Sequence, residues 1–155
     1  MTGWRLGFVA GAPRLVQAFA EVKNTVDSGQ FKAIQVAACS GISDGKILES
    51  TRKHYERRLK KMVRTLKSVG FDARMPGGTF YLYVPAPKRA GALVLENAEA
   101  ASQHLVLKHS ISTVPWDDAG AFLRFSATFE SAGPKDDDRV ISELQRRLQT
   151  AELGF

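Results

Sequence analysis

Pro76-Gly77-Gly78-Thr79-Phe80-Tyr81-Leu82-Tyr83-Val84 sets a glycine turn before a run of aromatic and branched residues that Pro85 and Pro87 close. Side chains of this kind suit a pleated surface, and the run predicts a strand over 79–84. A second strand follows further on. There Leu123, Phe125, Ala127 and Phe129 alternate with Arg124, Ser126 and Thr128, so one face is apolar and the other polar. An apolar sheet face needs a cover, and the sequence offers helices for it. Asp44 reads as the N-cap of a long helix that runs to Gly70, with Leu48, Tyr55, Leu59, Met62, Leu66 and Val69 on one stripe.

Beyond these segments, Phe71 to Arg74 reads as a brief strand and Lys88 to Ala92 as a loop. Asn97 caps a helix through Ala101 and Leu105 to about Lys108, and a strand over Ser112 to Val114 ends at Pro115. Pro134 and the Asp136-Asp137-Asp138 run open a final helix with carboxylates at its positive end, and Val140, Ile141, Leu144 and Leu148 form its apolar face. The start of the chain differs in character. Trp4, Leu6 and Phe8 alternate with Arg5 and Gly7 and predict a strand, followed by a helix from Pro13 with Leu15, Phe19, Val22 and Val26 on one side. A shorter helix through Ile34, Ala37 and Ala38 stops at Gly41. One strand cannot form a sheet alone, which is the first sign of a fragment. The expected fold class is therefore α/β. Residues 44–155 would form one layered domain of a sheet covered by helices, and residues 1–43 would be a remnant of another.

The chain has 155 residues, 44% of them apolar and 25% charged, the balance of one globular domain. Its net charge of +6 is concentrated. Residues 52 to 67 sum to +7 through Arg52, Lys53, Arg57, Arg58, Lys60, Lys61, Arg64 and Lys67 against Glu56, leaving −1 elsewhere. The same segment carries a regular apolar stripe, so a solvated helix face, or a face covered by a missing acidic domain, outweighs nucleic-acid binding. Cys39 is the single cysteine, which excludes an internal disulfide and a multi-thiolate metal site and points to a reducing cytoplasm. The apolar runs are too short to cross a bilayer.

Three patterns carry little chemistry. Gly41-Ile42-Ser43-Asp44-Gly45 matches a hydrolase elbow, but a helix rather than a strand precedes it, so Ser43 or Asp44 reads as a helix cap. His104 and His109 are five apart, a spacing that does not put them on one helical face as a zinc pair would require. Cys39 reads as a small core residue. Arg5 and Arg124 stand out because a guanidinium on a strand needs a reason to be held; the plain alternative is water or a structural ion pair.

Met1-Thr2-Gly3-Trp4-Arg5-Leu6-Gly7-Phe8-Val9-Ala10-Gly11 closely resembles the segment just after the catalytic lysine of class I/II aminotransferases, the fold-type I enzymes that use pyridoxal phosphate. Asp27-Ser28-Gly29-Gln30-Phe31-Lys32, Tyr55-Glu56-Arg57-Arg58, Pro76-Gly77-Gly78-Thr79-Phe80 and Leu123-Arg124-Phe125-Ser126 follow in the family's order. The resemblance covers nearly the whole chain. With Val114-Pro115-Trp116-Asp117-Asp118-Ala119-Gly120, it is most similar to the LL-diaminopimelate aminotransferase group.

The resemblance implies the C-terminal small domain of such an enzyme, led by a long interdomain helix, plus a strand-and-helix remnant of the cofactor domain. It implies that Arg5 binds the cofactor phosphate, that Arg124 binds the substrate α-carboxylate, and that Phe80 lines the substrate pocket. The implied cofactor is pyridoxal phosphate, the substrates are an amino acid and a 2-oxo acid, and the full-length enzyme is a homodimer. The cofactor-bearing lysine would lie just upstream of Met1, and Lys23 has no claim to that role. The 155 residues are therefore expected to lack transaminase activity by themselves, with no catalytic residue among them. Asp117 and Asp118 could select a distal ammonium group, or could simply shape a turn. The competing reading is a free-standing basic α/β module for an anionic partner.

Overall fold

The computed structural model describes residues 2–155; Met1, the first residue of the expected remnant, lies outside them. The chain divides into two compact units, the second spanning Arg52–Phe155.

In the first unit a short 3-10 helix, Thr2–Trp4, leads into irregular backbone. The strand expected through Trp4, Leu6 and Phe8 is not formed. Its backbone groups have no neighbouring strand to bond, and an isolated strand does not hold its shape. Helices α1 (Pro13–Val26) and α2 (Lys32–Ser43) follow, with Pro13 at the start of α1 as the sequence predicted. Neither helix has a buried residue. The α1 stripe of Leu15, Phe19, Val22 and Val26 is exposed, as are Phe31, Val36 and Ile42. Cys39 is also exposed, contrary to the expectation of a core residue, because this unit has no buried core for it to join.

Helix α3 (Gly45–Ser68) continues from here, and the division between the units falls within it, after Thr51. Asp44 accepts the Lys46 amide at 2.9 Å, so the G-x-S-x-G stretch is a helix-to-helix turn and not a strand-borne nucleophile.

The second unit holds the core. Strands β1 (Tyr81–Pro85) and β5 (Phe122–Ser126) pair antiparallel, with Tyr83 opposite Arg124. Between them in sequence come β2 (Arg89–Ala90), β3 (Leu93–Val94), helix α4 (Ala98–His109) and β4 (Val114–Trp116). Helix α5 (Pro134–Gln149) and β6 (Leu153–Gly154) complete the chain. The main sheet has the order β1-β5-β4, and a second, smaller sheet has the order β3-β2-β6. Leu82, Val84, Leu123 and Phe125 form the buried face of the main sheet. They join Leu59, Met62 and Leu66 of α3, Ala101 and Leu105 of α4, and Ile141 and Leu148 of α5 in one cluster.

Three expectations in this unit need correction. Residues 88–92 are not a simple loop: Arg89–Ala90 pairs with both Leu93–Val94 and Leu153–Gly154. Phe71 to Arg74 is not a strand, since Phe71 is instead a core side chain against Phe125 and Phe155. The strand expected over Ser112 to Val114 is Val114–Trp116, with Pro115 inside it opposite Leu123. Proline is tolerated there because β4 is an edge strand whose outer side needs no ladder bond.

The basic helix face is partly accounted for within the unit. Arg57 and Arg58 reach Asp137, and Lys61 reaches Asp138, both in the first turn of α5. Glu56 is shared by Arg52 and Lys60. Among the described residues no helix is long and apolar enough to cross a membrane.

Candidate functional site

Alternation along β1 and β5 turns one set of side chains into the core and the other away from it. The outward set on the main sheet is rich in aromatic residues: Tyr81 and Tyr83 from β1, Phe122 from β5 and Trp116 from β4 lie there beside Pro85, Val114 and Ser126, with Arg124 in the middle strand. Tyr83 stacks on Phe122 with centroids 4.5 Å apart and planes within 12°. Arg124 has Tyr83 as its partner on one side and Val114 on the other. Its guanidinium carbon lies 4.3 Å from the centroid of the Tyr81 ring.

Arg124 is half-buried and yet makes no hydrogen bond or ion pair among the described residues. Among the described residues its Nε is the one buried side-chain nitrogen or oxygen left without a partner, and neither Nη joins it in burial. An orphaned buried donor costs about 1–3 kcal/mol, so it calls for an explanation. Arg58 shows what a structural arginine does in the same unit. Its Nε donates to Asp137 at 3.0 Å, its Nη1 donates to the carbonyls of Ala127 and Phe129, and its Nη2 donates to Ser131 at 2.7 Å. Arg58 is fully employed by the protein. Arg124 instead lies against an aromatic face and has no acceptor among the described residues, and a planar guanidinium fork of this kind can pair with a carboxylate.

Phe80 sits just before β1, half-buried against Tyr55 of α3 at 5.3 Å and against Tyr81 at 4.5 Å. Thr79 before it has φ 143°, a region that β-branched residues avoid, and its hydroxyl accepts the Tyr81 amide at 3.2 Å. Backbone strain is thus stored at the entry to the aromatic row. The structure brings together two of the three residues singled out from sequence, Phe80 and Arg124, with Tyr81 between them.

Arg5 belongs to the first unit. It does not lie on a strand as expected; it is exposed at a turn with φ 53°. A left-handed arginine is uncommon enough to invite a functional reading. It forms no hydrogen bond or ion pair among the described residues, and a free guanidinium is the donor set that a phosphate dianion requires.

Asp117 is committed elsewhere. Its Oδ1 accepts the Ala98 amide at 2.8 Å and its Oδ2 the Glu99 amide at 3.3 Å, so both oxygens satisfy the N-terminus of α4 beside the Asn97 cap. The rings of His104 and His109, both on α4, lie 5.3 Å apart despite their five-residue spacing. Burial and the nearby His104 lower the pKa of His109. Among the described residues no group of three or more potential metal ligands forms. A groove of about 340 Å³ opens beside α5, lined by Phe125, Phe129, Ile141, Leu144, Arg139 and Arg147, and contains none of the residues singled out from sequence.

Sequence reading missed two features. The Tyr81–Arg124 stack depends on strand register, which the alternation of either strand alone does not specify. The Arg57–Arg58–Asp137–Ser131 network was hidden in two segments read separately, as a basic face and as a helix-dipole run. The excess of arginine over lysine at positions 57 and 58, on the margin of the apolar stripe, was the available signal.

The family described as "Aminotransferase class I and II" matches residues 1–135. A Methanocaldococcus jannaschii protein named LL-diaminopimelate aminotransferase is 49% identical over 163 aligned positions, covering 100% of this chain and 39% of that protein. A Methanococcus maripaludis protein of the same name is 51% identical, again over 100% of this chain and 39% of its own length. The chain thus spans about 39% of the length of these relatives. Among solved structures, that of apo-BacF from Bacillus subtilis superposes with a TM-score of 0.75 at 26% identity, over 99% of this chain and 39% of that one.

Proposed function

The chain belongs to the class I and II aminotransferases, and on that premise we propose that it is the substrate-carboxylate-binding part of a pyridoxal-phosphate-dependent aminotransferase. Such an enzyme moves an amino group between an amino acid and a 2-oxo acid. Pyridoxal phosphate, when bound, supplies the electron-withdrawing ring on which that transfer depends. Arg124 takes the substrate α-carboxylate in a two-point grip and fixes the α-carbon, Phe80 borders the pocket, and Arg5 holds the cofactor phosphate.

The observation that carries this reading is the unpaired guanidinium of Arg124 on an aromatic sheet face. The exposed apolar stripe of α1 agrees with it, because a cofactor domain of which residues 1–43 are one part would cover that surface. Residues 44–155 are then the small domain, led by the interdomain helix α3, and the working enzyme is a homodimer. LL-diaminopimelate, the substrate in the names of the two Methanocaldococcus and Methanococcus relatives, is the proposed amino donor. A single cysteine, free in the structure, agrees with a cytoplasmic setting.

A hybrid enzyme tests the reading. The chain replaces the matching 39% of the Methanocaldococcus jannaschii relative, and amino transfer from LL-diaminopimelate to a 2-oxo acid is measured with pyridoxal phosphate present. Transfer is the expected result. A hybrid that folds and retains the cofactor but moves no amino group contradicts the assignment.

A further inference from the structure

Among the described residues Arg124 has no anion to hold it in place, and a long side chain left so free would lose rotamer entropy on gripping a ligand. Its conformation is nonetheless defined. Tyr83, directly opposite on β1, is turned onto Phe122, while Tyr81, two residues earlier on the same face, lies under the guanidinium. Tyr81 is itself braced. Its ring touches Phe80 at 4.5 Å, and Phe80 touches Tyr55 of α3 at 5.3 Å, so a row of three aromatic rings runs from the long helix to the arginine.

We propose that Tyr81 is a positioning residue that pre-sets the Arg124 guanidinium for the incoming carboxylate. It acts through the face of its ring, covering the cation plane and sheltering Nε, so that the carboxylate is met by the two Nη atoms that remain open. The phenol oxygen makes no hydrogen bond among the described residues, so the aromatic face carries the effect rather than the hydroxyl. The inference rests on the reading of Arg124 as the carboxylate anchor.

The test uses the hybrid enzyme, with Tyr81→Leu and Tyr81→Phe each made alone and in an Arg124→Ala background. Tyr81→Leu is expected to raise KM for the amino donor about tenfold with kcat within about twofold, as loss of a desolvated cation–π contact implies. Cofactor affinity should be unchanged, Tyr81→Phe should restore KM, and Tyr81→Leu should add nothing once Arg124 is alanine. Phe as damaging as Leu, or a Leu effect that persists in full without Arg124, overturns the proposal. If Arg124→Ala alone leaves KM unchanged, the carboxylate reading fails first; if it raises KM while Tyr81→Leu does not, only the role of Tyr81 fails. The 155-residue chain gives a second readout that does not depend on activity or on the Leu variant folding. In nuclear magnetic resonance the Arg124 Hε should show a ring-current upfield shift and a contact to the Tyr81 ring protons. Absence of both overturns the stack.

Discussion

Arg58 donates to Asp137 across 79 positions of sequence, Nε to Oδ1 at 3.0 Å, with the carboxylate completely removed from solvent. Arg57 binds the other oxygen at 2.9 Å, and Ser131 donates to Oδ1 at 2.6 Å. Arg58 also lies 4.2 Å from the Phe129 ring centroid and donates to the carbonyls that follow β5. The long helix, the end of the strand that carries Arg124, and the first turn of α5 are therefore tied by one carboxylate.

Removing that carboxylate strands a buried cation. Asp137→Asn should destabilise the second unit by roughly 3–5 kcal/mol, the range for breaking one side of a buried pair. Urea unfolding of the chain, followed through Trp116 in a Trp4→Phe background, gives the value. A loss below about 1 kcal/mol, the level of an exposed pair, would show the network to be dispensable.

The same group predicts an acid limb. Burial alone would raise the Asp137 pKa, but hydrogen bonds from Ser131, Arg57 and Arg58 outweigh it and lower the value from 3.8 to about 2. The unfolded chain therefore takes up a proton near pH 4 while the folded one resists until about pH 2. The stabilisation is complete above pH 4 and is lost as the pH falls from about 4 to about 2. Stability of the parent and of Asp137→Asn, measured against pH, should converge across that window. Parallel curves through it would count against the assignment.

Asp117 has both oxygens on the amides of α4, so Asp117→Ala should cost about 1 kcal/mol, the typical price of a helix cap. In the hybrid enzyme it should affect LL-diaminopimelate and a donor without a distal ammonium alike. A selective loss with the diamino substrate would revive the idea that this pair reads the distal charge.

Arg5→Gln in the hybrid enzyme should weaken pyridoxal phosphate binding by about 10- to 100-fold, as loss of a charged hydrogen-bonding partner implies. Spectrophotometric titration with the cofactor supplies the number. Unchanged affinity would release Arg5 from the phosphate role.

Much of this fold was legible because the second unit obeys local rules consistently. The apolar stripe of α3 from Tyr55 onward, the Asn97 cap and the alternation of β5 each agree with the core that forms, whereas Leu48 at the start of the stripe is exposed. The opening segment was misread because Trp4, Leu6 and Phe8 carry a strand's alternation without the neighbours that a strand needs. The β2–β3–β6 sheet was missed because two-residue strands leave no periodic signal and β6 pairs across more than sixty residues. Arg124 could be singled out from sequence as a strand arginine, but its lack of an acceptor among the described residues is a tertiary fact.

If Arg124 receives the substrate carboxylate, Arg124→Lys in the hybrid enzyme removes the grip and leaves the charge. Lysine keeps the charge but not the planar fork, so kcat/KM for the amino donor should fall by at least about tenfold while cofactor affinity stays within about twofold. An unchanged kcat/KM, or an equal loss of cofactor binding, would contradict the account.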